Sequence, residues 1–276
     1  MKDIPFYKMQ GLGNDFVIIN ELTEDFFLDK KSITHLAHRH LGIGFDQLLF
    51  IKKSTKADFA CQIFNADGSE AKQCGNGLRC VARFIHDQGI TPQNTFSIET
   101  NAGIFQVKIQ NNHLVQVTMG IPCFEPANIP MIPEKLTLLS NKIQSRVKQL
   151  DILSLGNPHT ILQVASLKDF PVKELGTQIG NDAAFPHGIN VGFMQVINPA
   201  HIMLRTFERG SGETYACGSN ACAAAVAGIK SHLLSHVVQV ELPFGRLEIE
   251  WPGVNEPVMM TGPAEYVFKG SFSTVR

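Results

Sequence analysis

Hydrophobic and polar residues alternate along several short segments of the chain. The clearest are Phe105–Ile109, Leu114–Val117, Val238–Val240 and Leu247–Trp251. A period of two places successive side chains on opposite faces of an extended backbone. These segments are therefore predicted to be β-strands with one buried face.

Two other segments have helical character, and each follows a cysteine. After Cys74, apolar residues recur with helical spacing at Leu78, Val81, Ala82 and Ile85. After Cys217, the run Ala221–Ala227 is apolar on every face, which is typical of a fully buried helix. Each cysteine is thus predicted to lie at the N-terminal end of a central helix.

The chain also repeats itself, in the register that aligns Cys74 with Cys217. The segment Phe64–Gly77, which contains Cys74-Gly75, recurs as Phe207–Asn220, which contains Cys217-Gly218. Further blocks fall in the same register, or one residue short of it downstream: Leu12–Asn14 with Leu155–Asn157, Ile18 with Ile161, Gln47 with Asn190, Phe50 with Phe193, Gly103 with Gly245, and Gly120 with Gly262. Separated blocks in one register indicate an ancient duplication.

The repeat predicts the domain organisation. Residues 1–120 form an N-terminal domain and residues 121–263 a C-terminal domain, and the tail 264–276 is expected to pack on the first. The prolines at 122, 126, 130 and 133 favour an extended crossover between the copies. The predicted fold class is mixed α/β (α+β). Two pseudo-symmetric domains each wrap a curved mixed or antiparallel sheet around a central helix, with the active site in the cleft between them.

Composition narrows the function. The chain has 276 residues and 44% hydrophobic residues, enough for a full core. Its 24 basic and 25 acidic residues leave a net charge of −1, without the field that nucleic-acid or membrane-surface binders use. No apolar run reaches the roughly 20 residues of a membrane span, and the N-terminal segment resembles neither a secretory nor a transit peptide. We therefore expect a cytoplasmic protein with a small-molecule substrate, binding neither nucleic acid nor membrane.

A cysteine at a helix start is chemically distinctive. The helix end carries unpaired N–H groups and a partial positive charge, which predicts a lowered pKa for both thiols. The amides of Gly75-Asn76 and Gly218-Ser219 are suited to hold a carboxylate. If the copies face each other, a small acid between them meets one thiol on each side of its α-carbon. One thiolate then removes the proton while the other thiol delivers a new one, which inverts the centre.

The motifs around these residues resemble the diaminopimelate epimerase family. They are Met9–Phe16, Gly42–Gln47, Phe64–Glu70, Gln73–Gly77, Gly156–His159, Glu208–Gly210 and Ala216–Ser219. The resemblance extends from residue 6 to the tail. It implies an enzyme without a cofactor, an isomerase that interconverts LL- and meso-2,6-diaminopimelate in lysine and cell-wall biosynthesis. It also implies two pseudo-symmetric domains and a homodimer.

The resemblance implies a role for each matching residue. Cys74 and Cys217 match the acid/base thiols, and His159 and Glu208 match residues that tune them. The backbone amides of Gly75, Asn76, Gly218 and Ser219 match the site of the reacting carboxylate. Substrate-binding positions are matched by Asn14, Gln47, Asn65, Asn157, Asn190, Glu208 and Arg209. A departure is Asn220, where the family commonly has glycine. We expect little damage, because asparagine tolerates left-handed backbone angles.

The side chains fit such a substrate, which carries two carboxylates and two ammonium groups. Arg209 offers a bidentate fork for the distal carboxylate, and Glu208 can meet an ammonium group. The neutral amides supply both donors and acceptors without adding charge near the thiols. Asn65 and Glu208 occupy equivalent positions but differ chemically, which indicates that the two copies have specialised.

Other interpretations remain open from the sequence. A proline or hydroxyproline racemase would use the same opposed cysteines on a substrate with one carboxylate. A redox protein could instead join Cys74 and Cys217 in a regulatory disulfide. The sequence does not exclude a pyridoxal-phosphate lysine, although paired thiols make that cofactor unnecessary.

The remaining motifs favour ordinary structural roles. We expect Cys61, Cys80, Cys123 and Cys222 to be inert. The triplet His35, His38 and His40 lacks the ligands to complete a metal site and is expected on a solvated helix face opened by Ser32 or Thr34. Gly11 and Gly13 lack the third glycine of a dinucleotide-binding loop. No metal and no cofactor are therefore predicted.

Overall fold

The computed structural model divides the chain into two compact units. Unit 1 comprises residues 1–117 and 262–276, and unit 2 comprises residues 118–261. The structure describes residues 3–110, 112–143 and 145–273; for residues 137, 138 and 140–142 only the backbone is described. The predicted repeat limits stay a prediction, because compactness is a property of contacts and not of ancestry.

Both units consist mainly of strands, with a few helices between them. The described strands are β1 (Asp3–Gly11), β2 (Asn14–Asn20), β3 (Gln47–Lys52), β4 (Phe59–Asn65), β5 (Glu70–Ala71), β6 (Thr95–Thr100), β7 (Gly103–Ile109), β8 (Val115–Thr118), β9 (Gln149–Ser154), β10 (Pro158–Gln163), β11 (Asn190–Asn198), β12 (His201–Glu208), β13 (Gly212–Thr214), β14 (Val237–Leu242), β15 (Gly245–Glu250), β16 (Met259–Gly262) and β17 (Glu265–Ser273). The described helices are α1 (Lys30–Ala37), α2 (Gly75–Asp87), α3 (Pro133–Ile143), α4 (Val172–Gly180) and α5 (Gly218–Lys230).

Each unit is a mixed sheet with the same pairing order. In unit 1, β2 runs parallel to β3 and β4 parallel to β6, while β1–β2, β3–β4, β6–β7 and β7–β8 are antiparallel. In unit 2, β10–β11 and β12–β14 are parallel, while β9–β10, β11–β12, β14–β15 and β15–β16 are antiparallel.

The register of the strands repeats as well. Phe16 lies opposite Gln47 in unit 1, and His159 lies opposite Asn190 in unit 2. The second pair is the counterpart of the first in the register that aligns the two capping cysteines. Since a slip of one residue would reverse every side chain, the shared register brings equivalent residues to equivalent faces.

The predicted strands and central helices are present. Alternate residues of β7 are buried, as its period-two pattern requires. Helix α2 packs against β1, β2, β3 and β7, and α5 packs against β9 to β12, β14 and β15. Helix α5 is buried almost along its whole length, as its uniformly apolar sequence predicts. The mixed α/β fold class is confirmed.

The expectation for the histidine-rich segment was wrong in two respects: the helix begins at another residue, and only His35 of the three histidines lies in it. Helix α1 begins after Asp29, whose carboxylate accepts from the backbone N–H of Ser32 at 2.8 Å. An aspartate N-cap is as effective as a serine, so neither Ser32 nor Thr34 opens the helix. His38 ends the helix, and its Nδ1 accepts from the backbone N–H groups of His40 and Leu41.

The proline-rich segment is not extended throughout, contrary to expectation. Pro126–Asn128 form a 3₁₀ turn, and Pro133 is the first residue of α3. Proline suits that position, because the first N–H groups of a helix have no partner within it. Leu139 and Ile143 of α3 are buried in the core of unit 2.

The C-terminal tail belongs to unit 1. Strand β17 pairs antiparallel with β1, from Asp3 opposite Ser273 to Gln10 opposite Glu265. Residues 274–276 of the predicted tail lie outside the described part of the chain. Among the described residues, no helix has both the length and the apolar character needed to cross a membrane.

Within unit 2, Gly176 of α4 lies directly against Phe207 of β12, so a β-carbon at Gly176 would overlap the phenyl ring. We expect Gly176→Ala to lower the free energy of unfolding by about 1–3 kcal/mol, the usual cost of overpacking a core. Urea denaturation followed by the fluorescence of Trp251, the single tryptophan and buried in unit 2, measures this. Thr177→Ala, at an exposed position of the same helix, is the control, and equal stability of the two variants would contradict the prediction.

Candidate active site

Cys74 is the N-cap of α2 in unit 1. Its backbone is extended, with φ −151° and ψ 106°, and its Sγ accepts from the backbone N–H of Gly77 at 3.4 Å. This places the sulfur over the first helical turn, where the N–H groups have no helical partner. The amides of Gly75 and Asn76 belong to that turn, so the predicted anion-binding end of the helix lies beside the thiol.

Two asparagine side chains contact each other next to Cys74. Asn14 Oδ1 lies 3.8 Å from Cys74 Sγ and accepts from Asn76 Nδ2 at 3.3 Å. The predicted residues Asn14, Cys74 and Asn76 therefore form one cluster, although the first two are far apart in the sequence.

Gln47 and Asn65, two further predicted binding residues of unit 1, lie opposite each other where β3 begins and β4 ends. Gln47 Nε2 donates to Asn65 Oδ1 at 2.9 Å, and Asn65 Nδ2 donates to Ser69 Oγ at 3.0 Å. Gln47 Oε1 is buried without a hydrogen-bond partner among the described residues. A buried orphan acceptor is costly, so this oxygen suits a donor brought by a ligand.

Sequence reasoning missed several charged residues beside Asn14. Asp46 accepts from Asn14 Nδ2 at 2.8 Å. Arg39 bridges Asp46 and Asp15, and Lys8 donates to Asp15 at 2.6 Å. Burial raises the pKa of Asp15, but hydrogen bonds from Arg39 and Lys8 outweigh burial and lower it to about 2. Asp46 stands inside a motif already noted, so its position next to Gln47 was the available signal.

Arg79 was also missed. This arginine lies in the middle of α2 and is fully buried. Its Nη1 donates to Asn76 Oδ1 at 2.8 Å, and its Nε donates to the carbonyl of Pro263 at 3.0 Å. A buried guanidinium requires such acceptors. The hydrogen bond from Arg79 thus fixes the orientation of the Asn76 amide.

Cys217 is the equivalent N-cap of α5 in unit 2, with φ −123° and ψ 108°. The thiol is buried, and its Sγ lies 3.5 Å from Ser219 Oγ. The prediction of a lowered pKa was wrong here. Burial, followed by the charge of Glu208 and a hydrogen bond to its carboxylate, raises the pKa of Cys217 well above its usual value.

Glu208 is itself held by a neighbouring hydroxyl. Thr214 Oγ1 donates to Glu208 Oε1 at 2.5 Å, and Thr206 Oγ1 lies 3.1 Å from Thr214 Oγ1. The hydroxyl bond fixes the carboxylate at the end of β12, within hydrogen-bonding reach of Cys217. The predicted pair Glu208 and Cys217 is therefore brought together.

His159 and Asn157 are linked to the start of α5 by hydrogen bonds. His159 is fully buried, and its Nε2 lies 2.9 Å from Asn157 Oδ1. Burial lowers the pKa of His159 to about 3, so its ring is neutral at neutral pH. Asn157 Nδ2 donates to Ser219 Oγ at 3.4 Å, which connects the imidazole to the first turn of α5, next to Cys217.

Asn190 and Arg209 interact through the backbone. Asn190 Oδ1 accepts from the N–H of Arg209 at 3.0 Å, and its Nδ2 donates to the carbonyl of Pro158 at 3.1 Å. The Arg209 side chain is exposed and donates to the carbonyl of His187 at 3.2 Å. Asn190 thus positions the chain at Arg209, while most of the guanidinium's donors stay available to solvent.

The expectation about Asn220 had the wrong physical reason. Asn220 lies inside the first turn of α5, so it needs no left-handed angles. Its buried Nδ2 donates to the carbonyl of Val191 at 3.0 Å. The side chain fills the space above Gly192, where a β-carbon would lie 2.7 Å from Asn220 Oδ1.

The other four cysteines lie outside the N-cap positions of α2 and α5. All six cysteines are present as thiols, and Cys61, Cys80 and Cys222 are buried. Among residues 3–110, 112–143 and 145–273, no group of three histidine, cysteine or carboxylate residues is placed to hold a metal ion.

Known proteins resemble the chain in sequence and in fold. The family model described as diaminopimelate epimerase matches residues 6–124 and 152–267. The diaminopimelate epimerase of Nitrosomonas eutropha is 47% identical over 273 residues, which cover 97% of this chain and 98% of that protein.

Solved structures share the fold at low identity. A PhzF-family phenazine biosynthesis protein from Bacillus anthracis matches with a TM-score of 0.71 and 19% identity, over 99% of this chain and 100% of that one. A hydroxyproline epimerase from Agrobacterium vitis matches with a TM-score of 0.65 and 12% identity, over 98% and 92%. From its sequence, the chain belongs to the diaminopimelate epimerase family.

Proposed function

We propose that the chain interconverts LL- and meso-2,6-diaminopimelate by moving a proton at the α-carbon, without a cofactor, in lysine biosynthesis. Family membership makes the chain an epimerase, an isomerase. The observation that carries the mechanism is the pair Cys74 and Cys217, which are equivalent in the repeat and cap equivalent helices.

In the proposed mechanism, the two sulfurs act on opposite faces of one α-carbon. The thiolate of one cysteine takes the α-proton, and the C–H electron pair moves onto the substrate carboxylate. The S–H of the other cysteine then gives its proton to the opposite face of the carbon. Amides at the helix starts, Gly75-Asn76 and Gly218-Ser219, stabilise the charge as it accumulates on the carboxylate.

We infer that Cys217 is the proton donor in the resting enzyme. Burial and Glu208 both favour its S–H form. A thiol held protonated beside a carboxylate is ready to donate once the opposite thiolate has removed the α-proton. Cys74 then starts as the base, and the two roles exchange with each turnover.

Arg209 and Gln47 suit the charged groups of diaminopimelate that do not react. Arg209 is exposed and presents donors for a second carboxylate. Gln47 Oε1 offers a buried acceptor to an ammonium group. A substrate with charges at both ends uses all these groups, whereas proline would leave the guanidinium without a partner.

Two alternative functions, a proline or hydroxyproline racemase and a redox protein, can each be distinguished from the proposed function by one experiment. The hydroxyproline epimerase of A. vitis shares only the fold, and a substrate competition assay decides between the two substrate classes. A disulfide between Cys74 and Cys217 would give activity that oxidant removes and dithiothreitol restores; a fully reduced protein without epimerase activity would favour the redox role. A homodimer stays a prediction that rests on the family resemblance alone, and a cytoplasmic location stays a prediction from the sequence.

Replacing either capping cysteine tests the two-base mechanism. We expect Cys74→Ser and Cys217→Ser each to lower turnover by about a hundredfold or more, since each removes one acid/base group. Turnover in deuterated water, followed by mass spectrometry of the product, should place solvent deuterium at the α-carbon. Cys123→Ser, a half-buried thiol outside both helix starts, is the control. Full activity in either capping variant would exclude the mechanism.

The protonation of Cys217 can be tested apart from turnover. Glu208→Gln removes the charge and the strong acceptor that raise the pKa of Cys217, so the thiolate should form at lower pH. Iodoacetamide labelling of the Cys217 peptide across a pH series measures the midpoint. Glu213→Gln, on neighbouring β13 and paired with Arg205, is the matched control. An unchanged or raised midpoint in Glu208→Gln would contradict our assignment of Cys217 as the resting acid.

The role of Arg209 is tested by a conservative change. Arg209→Lys keeps the charge but loses the planar fork, so the KM for diaminopimelate should rise about tenfold, the cost of roughly 1.4 kcal/mol. Turnover at saturation should change little, because the distal end does not react. Arg246→Lys, an exposed arginine paired with Glu241, is the control. Competition by proline at concentrations similar to those of diaminopimelate would instead favour the shorter substrate.

A further inference from the structure

Behind Cys74, four side chains of unit 1 form a hydrogen-bonded row, here called the amide row: Asp46, Asn14, Asn76 and Arg79. Asn14 Nδ2 donates to Asp46 Oδ2 at 2.8 Å. Asn76 Nδ2 donates to Asn14 Oδ1 at 3.3 Å, and Arg79 Nη1 donates to Asn76 Oδ1 at 2.8 Å. Every hydrogen bond in the row therefore points from the guanidinium toward the carboxylate.

The two ends of the row determine this direction. An ionised carboxylate only accepts hydrogen bonds, and a guanidinium only donates them. Asn14 must therefore turn its NH₂ toward Asp46, and Asn76 must turn its oxygen toward Arg79. Reversing either amide would bring two donors or two acceptors together, which costs a hydrogen bond at each contact.

The direction of the row decides what Cys74 meets. With its NH₂ on Asp46, Asn14 presents its oxygen to Cys74 Sγ, 3.8 Å away. An oxygen accepts from the S–H form of a thiol and repels the thiolate, whereas an NH₂ group would favour the thiolate. Asp46 lies on the far side of Asn14, so it acts on the sulfur through the amide.

We propose that Asp46 is a positioning residue: it fixes the amide of Asn14 with the oxygen toward Cys74 and so holds this sulfur's proton affinity high enough for it to serve as acid as well as base. The proposal rests on the proposed function, because only a two-base epimerase needs Cys74 in both states. If the proton affinity of the sulfur were too low, it would not take the α-proton from the substrate and would have no proton to return.

A cluster of charges keeps Asp46 in place. Arg39 Nη2 donates to Asp46 Oδ1 at 2.8 Å, and the backbone N–H of Asp46 donates to Asp15 Oδ1 at 2.9 Å. Asp15 is held in turn by Lys8 and Arg39. Asp46 thus receives hydrogen bonds on both oxygens, so turning its carboxylate away from Asn14 would break contacts on both.

The described part of unit 2 has no equivalent of this row. In the register that aligns Cys74 with Cys217, the counterparts of Asp46, Asn14, Asn76 and Arg79 are Ile189, Asn157, Ser219 and Cys222. Cys217 meets Glu208 and the Ser219 hydroxyl instead. A charged acceptor contacts the sulfur in unit 2, and in unit 1 a neutral acceptor is oriented by a charge behind it. A full negative charge raises the proton affinity of a sulfur more than a neutral oxygen does, which agrees with Cys217 as the resting acid and Cys74 as the resting base.

Other titratable groups of unit 1 near Cys74 include two thiols. Cys61 lies on β4, and Cys80 lies further along α2. Burial raises the pKa of Cys61, and it raises that of Cys80 to about 12, so both remain neutral. Neither thiol competes with the row over the ordinary pH range.

The first experiment tests the sign of the contact. Iodoacetamide labelling of the Cys74 peptide across a pH series gives the pH at which half of this cysteine is thiolate. Asn14→Ala removes the group facing the sulfur. If that group is an oxygen, the midpoint falls by about one pH unit, the equivalent of one hydrogen bond. If it is an NH₂, the midpoint rises, and that result would overturn the proposal.

The second experiment tests Asp46. Asp46→Asn frees the Asn14 amide to reverse, and the labelling midpoint of Cys74 should fall about as far as in Asn14→Ala. The double variant should fall no further, because both changes remove the same contact. Asp58→Asn is the matched control: Asp58 also accepts from a backbone N–H and a side chain, those of Ser97, but has no contact with the row. A midpoint in Asp46→Asn equal to that of Asp58→Asn would exclude the role.

Salt dependence distinguishes an effect of the Asn14 amide orientation from a direct Coulomb effect of Asp46 on Cys74. Asp46 and Arg39 are partly exposed, so a direct Coulomb effect of Asp46 on the thiol weakens strongly at 1 M salt, where the screening length is about 3 Å. An amide orientation does not depend on ionic strength in this way. The fall in Asp46→Asn should therefore persist at high salt; its disappearance would mean a charge effect and would overturn the proposal.

These outcomes are independent of the proposed function. Labelling needs no substrate, so the amide row can be supported or excluded even if the chain epimerises nothing. Conversely, an active enzyme with an unchanged Cys74 midpoint in both variants would keep the function and remove the role of Asp46. If Asp46→Asn does not fold, the sign test on Asn14→Ala still decides whether an oxygen faces Cys74.

Discussion

Each unit depends on a polar helix end placed against the inner face of a sheet. The first N–H groups of a helix have no acceptor within the helix. Burying them costs free energy unless another group accepts their hydrogen bonds. Cys74 and Cys217 stand at such ends, followed by glycines that let another molecule approach the backbone closely. The same helix starts supply the chemistry, because each places a thiol beside the backbone amides of the first helical turn.

The helix end alone does not determine the charge of the sulfur. A helix dipole contributes about 0.3–1 kcal/mol to a nearby charge, and one unit of pKa corresponds to about 1.4 kcal/mol. Burial of the thiol and a neighbouring carboxylate exceed the dipole at Cys217, so its pKa rises. At Cys217, burial and the neighbouring carboxylate therefore outweigh the helix end in setting the protonation of the sulfur.

The two units keep one backbone arrangement and differ in side chains. Their strand pairing and register are the same, yet Asn65 in unit 1 corresponds to Glu208 in unit 2, and Phe16 corresponds to His159. A duplicated fold supplies two similar helix ends, and divergence then gives each its own polar surroundings. Such asymmetry suits a substrate whose two ends differ in their distance from the reacting carbon.

The sequence by itself determined the period-two strands, the buried helix after Cys217, the repeat and the family. Each of these depends on local spacing or on matched residues along the chain. Only the tertiary structure revealed the charged cluster of Lys8, Asp15, Arg39 and Asp46, the guanidinium of Arg79 behind Asn76, and the raised pKa of Cys217. Hydrogen-bond partners that are distant in the chain leave no periodic trace in it, and burial exists only once the sheets have formed around the helices.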